Sequence, residues 1–195
     1  MPETGSSHNS ISNFTSHPST SPFTVSCQTY ISIHPDIKCK YIATGSLVFD
    51  NFNSTTPRLL LLQRSKSDSM PGRWETPGGG CDDEDESILH AVTRELWEEA
   101  GLKASNIGPL VGKPHFFVSQ SGKQICKFNF LVQVEQGTEG KLEVKLDPAE
   151  HQRFVWASEN EVRAKKVGDL DLEFTTKETE ETVLEGFKVK RVESG

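Results

Sequence analysis

The stretch that most constrains how this chain can fold runs from Gly78 to Leu102, where three consecutive glycines open into a helix crowded with carboxylates. At about 100° per residue, Glu99 lies roughly 40° to one side of Glu95 and Glu98 roughly 60° to the other. All three carboxylates therefore project within an arc of about 100°. Ile88, Leu89, Val92, Leu96 and Ala100 occupy the neighbouring arc and form a stripe that must be buried. Like charges so placed repel one another. A soluble helix gains nothing from that arrangement unless a cation sits among them.

Carboxylates clustered beside a glycine backbone suit hard cations with oxygen ligands. Such ions bridge phosphate oxygens, offset their charge and lower the pKa of a bound water. A glutamate next to them can accept that water's proton. The residues thus point to metal-assisted hydrolysis of a phosphoanhydride. A net charge of −7 argues against a nucleic-acid polymer as partner, since backbone binding needs a basic face. No apolar run reaches membrane-spanning length, and no secretory leader pattern is present. Cys27, Cys39, Cys81 and Cys126 lack zinc-ligand spacing, so reduced thiols in a cytoplasmic protein are expected. A homodimer is compatible with these features.

Residues 1–24, rich in Ser, Thr, Asn and Pro, read as a disordered tail ahead of a single domain over 25–195. Thr29 to Ile33 has the composition of a short strand. Tyr41 to Phe49 is a β-branched and aromatic strand, and Arg58 to Arg64 is a continuous apolar run, as in a strand covered on both faces. Asp83 and Glu86 have capping-box spacing and predict a helix start near Asp83; Gly101 predicts its end. Ile107 to Ser119 and Lys123 to Glu135 read as a hairpin. Arg153 to Ala157 is a further strand, Ser158 with Glu161 caps a short helix, and a last helix spans about residues 175–190. Strands and helices mix without regular βα alternation, which indicates an α+β sandwich.

Gly80, then Glu86 with five residues between them, and Arg94-Glu95-Leu96-Trp97-Glu98-Glu99-Ala100-Gly101-Leu102 after a further seven intervening residues resemble the Nudix box at every fixed position. The resemblance extends from about Tyr41 to Val162 and includes Trp74-Glu75-Thr76-Pro77-Gly78-Gly79. It implies the Nudix fold, an α/β/α sandwich with a mixed central sheet. It also implies Mg²⁺- or Mn²⁺-dependent hydrolysis of a nucleoside diphosphate linked to another moiety, with a small diphosphate as substrate. Carried over residue by residue, Glu98 and Glu99 resemble metal ligands, and Glu95 a further ligand or the general base. Glu95 and Glu99 are the catalytic candidates. The Gly79 carbonyl is another candidate ligand, and Glu86 with Arg94 resembles the pair that braces the loop against the helix. Glu150, ahead of Phe154-Val155-Trp156, stands where the family often supplies one more acidic ligand.

Other readings remain open. A prenyl diphosphate would keep the chemistry and change the substrate; a non-catalytic nucleotide sensor would share the fold, although such modules tend to lose the carboxylates. Arg64, Arg73 and Phe116 are candidate substrate contacts, with surface solvation or packing as the alternative fate. His90 and His151 show no ligand-like grouping and read as structural. Cys81 lacks a base partner for nucleophilic catalysis. Substrate identity is expected to depend on the loops at 50–57, 65–73, 113–123 and 136–150.

Overall fold

Leu59, Leu60, Leu61 and Leu62 are fully buried, and they alternate between two apolar clusters on opposite faces of one sheet. Successive side chains of a strand point to opposite faces, so a continuous leucine run marks a strand with helices on both sides. The computed structural model describes residues 13–50, 56–119, 121–137 and 141–193. In order these form β1 (Thr15–Ser16), a 3-10 turn (Pro18–Phe23), α1 (Cys27–Ile33), β2 (Tyr41–Asp50), β3 (Arg58–Arg64) and β4 (Trp74–Glu75). Then come α2 (Ile88–Ala100), β5 (Ala104–Leu110), β6 (His115–Val118) and β7 (Gln124–Val134). The chain finishes with β8 (His151–Ser158), α3 (Glu159–Ala164), β9 (Lys166–Val167), β10 (Leu170–Asp171) and α4 (Lys177–Glu193).

The main path of the sheet is β1-β5-β7-β2-β3-β4, with β6 also on β7 and β8 also on β3. The β2–β7 and β1–β5 pairs are parallel and the others antiparallel, so the sheet is mixed. One face carries α2, whose predicted stripe of Ile88, Leu89, Val92, Leu96 and Ala100 is buried in full. The other face is covered by α3 and α4 through Val162, Val183 and Phe187. This is the α+β sandwich that the sequence predicts.

β2 meets β3 only at its far end, through Phe49↔Leu59 and Asp50↔Arg58. Along the remainder of that edge the glycine loop takes over. Pro77 accepts from the Ser46 amide (2.8 Å), Gly79 accepts from the Thr44 amide (2.8 Å), and the Cys81 amide donates to Ile42 (2.9 Å). The loop before α2 is thus stitched into the sheet.

Four local expectations are corrected. Residues 13–24 are not a tail: Ser16 and Thr15 pair with β5, and Phe23 is 4% exposed, packed on Tyr30, Phe128 and Phe130. Residues 1–12 of that expectation lie outside the described residues. Thr29 to Ile33 is helical, because Ser26 accepts the Thr29 amide as an N-cap and starts α1. α2 begins at Ile88 with Ser87 as its cap, since Asp85 accepts the Asp82 amide and closes a separate turn upstream. The first hairpin strand is broken into β5 and β6 around Gly112, whose φ is +73°. The last two helices and the Ser158–Glu161 capping box stand as expected.

Candidate active site

α2 carries Glu95, Glu98 and Glu99 along the glycine loop, and the loop's backbone fixes how closely they approach. A Cβ at Gly78 would lie 2.2 Å from the Thr44 carbonyl, and its φ is +148°, so only glycine fits there. Its amide is free to donate to Glu99 Oε2 at 2.6 Å. A Cβ at Gly79 would meet the Glu95 carboxylate at 2.6 Å. Glu95 therefore rests directly against the loop. Gly79's carbonyl, a candidate ligand, already accepts the Thr44 amide and retains its second lone pair.

Glu99 is 5% exposed. Burial pushes its carboxyl well above the usual range, with Glu75, Glu95 and Glu150 adding repulsion against the single Gly78 hydrogen bond. Glu95 is raised to about 7, again mainly by burial, with Arg94 opposing and Glu98 and Glu150 reinforcing the shift. Glu150 arrives from the turn that precedes β8. The Asp147 carbonyl accepts the Glu150 and His151 amides (3.2 and 2.8 Å), and Glu150's carbonyl accepts the Ser65 amide at 2.8 Å. That turn brings Glu150 and His151 to Glu99: one ligand-type atom from each lies within 4.8 Å of the other two.

Arg94 is the organiser of the loop. It donates to Asp85 through Nε and Nη2 (2.9 Å each), to Glu95 and Glu98 through Nη1 (2.9 Å each), and to the Gly80 carbonyl (2.8 Å). Its expected partner Glu86 is instead 83% exposed in its side chain, 3.6 Å from His90. The bracing role of Arg94 is present, but Asp85 performs it, because the turn at Asp82 directs Glu86 outward. Glu98 is more exposed than its neighbours on α2 (53% for the side chain) and is held by Arg94 outside the Glu99, Glu150 and His151 group.

The three candidate substrate contacts separate. Arg64 lies beside the carboxylates, gripped by Asp68 (2.7 and 2.6 Å) and ion-paired with Glu75. Arg73 pairs with Glu173 at 2.8 Å, lining a cavity with Thr175 and Lys177 at the start of α4. Phe116 stands half exposed on β6 opposite Cys126. Of the loops expected to set the substrate, residues 51–55, 120 and 138–140 lie outside the described residues.

Two site residues escaped sequence reasoning. Glu75, 7% exposed on β4, is held below the usual carboxylate range: burial opposes this, while the His151 hydrogen bond, Lys127 and Arg64 prevail. His151 is 2% exposed and shares the Glu99 and Glu150 group. The only signal for either was adjacency, to the Pro77-Gly78-Gly79 run and to Glu150.

This combination of fold and site defines a known class. The NUDIX domain family model matches residues 41–177. This chain belongs to the Nudix family, as a pyrophosphohydrolase of the Nudix type. It is 33% identical over 115 residues to an Escherichia coli (strain K12) CTP pyrophosphohydrolase, covering 59% of this chain and 77% of that protein. Its fold is similar to the MutT protein from Methanosarcina mazei Go1, with TM-score 0.53, 24% identity, and coverage of 81% of this chain and 97% of that one. It is also similar to the NUDIX domain of Shewanella oneidensis NrtR complexed with ADP ribose, with TM-score 0.55, 17% identity, and coverage of 86% and 99%. No helix among the described residues is long and apolar enough to cross a membrane.

Proposed function

We propose that this chain hydrolyses the phosphoanhydride of a nucleoside diphosphate linked to another moiety, using Mg²⁺ or Mn²⁺. The observation that carries this reading is the convergence of Glu99 and Glu150, whose carboxylate oxygens lie within 4.8 Å of each other with Glu99 buried. A buried carboxylate pushed so far above its ordinary range fits a missing positive charge. Glu99 and Glu150 would hold the ion, with Glu95 and the Gly79 carbonyl as nearby ligands and Glu98 reaching it by exchanging Arg94. A bound divalent ion would neutralise phosphate oxygens and acidify a water.

The protein residues then have distinct tasks. Glu95, against the loop with a pKa about 7, is suited to accept the proton of the attacking water. Arg94 holds the loop and limits Glu95's freedom. The water oxygen forms a new bond to phosphorus as the bridging P–O bond breaks, and the leaving phosphate takes the electron pair. The CTP pyrophosphohydrolase relative favours a nucleoside triphosphate, in which the attached moiety is simply another phosphate.

The test is a panel of CTP and other nucleoside triphosphates, ADP-ribose, nucleotide sugars and dinucleoside polyphosphates, each with Mg²⁺ or Mn²⁺ and with products identified by mass. Hydrolysis at the anhydride of at least one is expected. Tight binding without turnover across the panel would overturn the enzymatic reading.

A further inference from the structure

His151 is almost wholly buried, yet only one of its ring nitrogens has a partner among the described residues. Nε2 lies 3.3 Å from Glu75 Oε1. Nδ1 is buried and has no hydrogen-bond partner among the described residues. Buried polar atoms of native proteins nearly always have partners, and an exception calls for an explanation. With Glu75 accepting at Nε2, the ring proton is assigned there and Nδ1 is left with a lone pair.

A carboxylate on one ring nitrogen and a free lone pair on the other is the arrangement that orients a metal-ligating histidine. Glu75 is itself secured by Arg64, which binds the same Oε1. The ring's position is fixed from the backbone too: β8 starts at His151, in register with Arg64, and the Asp147 carbonyl accepts the His151 amide. One of its two ring nitrogens lies within 4.8 Å of carboxylate oxygens of both Glu99 and Glu150. That span is slightly more than twice a metal–oxygen distance of about 2.1 Å, so small side-chain movements would bring all three onto one ion.

We propose that His151 is a nitrogen ligand of the catalytic ion, with Glu75 as the positioning residue that sets its tautomer. The site is then a mixed nitrogen and oxygen set, not the all-oxygen set that suits Mg²⁺. Imidazole favours transition ions over Mg²⁺, so this chain works best with Mn²⁺ or a related ion. The proposal rests on the metal-dependent reading above and names a ligand that reading does not need.

Pulsed electron paramagnetic resonance of the full chain loaded with Mn²⁺ tests it directly. Nitrogen modulation on the ion is expected in the wild type, changing in pattern when the protein is grown with ¹⁵N-histidine. It should vanish in His151→Gln, and the preference for Mn²⁺ over Mg²⁺, read by competition, should fall about tenfold or more. Bound Mn²⁺ without histidine nitrogen in the wild type overturns the proposal and leaves the hydrolytic reading standing. Nitrogen modulation that survives in His151→Gln overturns it equally. Failure of either ion to bind, with no hydrolysis of any substrate, removes the reading beneath it as well. The wild-type spectra decide the matter even if the variant does not fold.

Discussion

The amide of Gly78 donates to Glu99 Oε2 at 2.6 Å, so the residue with least freedom in the loop holds the carboxylate with least access to water. Gly78 can do this because its missing side chain lets it lie against the Thr44 carbonyl. The prediction is specific to this glycine. Gly78→Ala should destabilise the protein by at least about 1–3 kcal/mol through backbone strain and abolish turnover. Gly80→Ala, with nothing within 4 Å of the added Cβ, should stay within about 0.5 kcal/mol. Urea melts of both variants check the contrast, and equal losses would count against the loop geometry.

Glu99→Gln removes a carboxylate that burial disfavours but keeps an oxygen for the Gly78 amide. The metal-free variant should be as stable as wild type or more so. Its turnover should fall more than about a hundredfold, as for loss of one transition-state contact. Saturating Mg²⁺ or Mn²⁺, at about 100 times Kd, should stabilise wild type by about 2.7 kcal/mol and the variant by much less. Equal melting shifts in the two proteins would sink the assignment of Glu99 as ligand.

Arg94 and Asp85 form a two-point pair with Asp85 side chain only 7% exposed, whereas Glu86 is 83% exposed. Asp85→Asn should therefore cost about 1–3 kcal/mol by leaving Arg94 partly unpaired, while Glu86→Gln should cost less than about 0.5 kcal/mol. Denaturant titration gives the order directly. The reverse order would restore Glu86 as the brace.

Acid stability should depend on Asp68. The Arg64 hydrogen bond, reinforced by the Met70 amide and Ser69 hydroxyl, holds its carboxyl well below the usual range despite partial burial. A depressed folded pKa contributes stability that is present above the unfolded value, about 3.9, and is lost as pH falls below it. Wild type should lose stability on acidification below about pH 4, and Asp68→Asn should show a flatter acid limb. Parallel melting curves from pH 6 to pH 2 would exclude this contribution.

Phe23 stacks on Tyr30 at 5.3 Å between ring centroids and meets Phe128 and Phe130 edge-on. Phe23→Ala should cost about 3–5 kcal/mol, the scale of a core aromatic and not of a tail. A melting temperature within a degree of wild type would show that this segment contributes little.

What the chain disclosed in advance was local. The arc of Glu95, Glu98 and Glu99 and the buried stripe beside it depend only on the pitch of one helix, and both stand. The leucine run of β3 declared two cores because a strand has only two faces. Glu86 misled because its spacing is fixed while its direction depends on a turn closed by Asp82 and Asp85. His151 was illegible for a deeper reason: its place beside Glu99 comes from β8 pairing with β3, a contact between distant parts of the chain. Phe23 hid among serines and prolines, since its burial depends on partners in α1 and β7.

The stitching of the glycine loop to β2 also bears on the catalytic cycle. Opening this loop would break the main-chain bonds at Ser46, Thr44 and Ile42 together and bare a strand edge. The loop is therefore a poor gate. On the proposed reading, motions that admit substrate or release product should be sought outside this loop, whose backbone is held to β2.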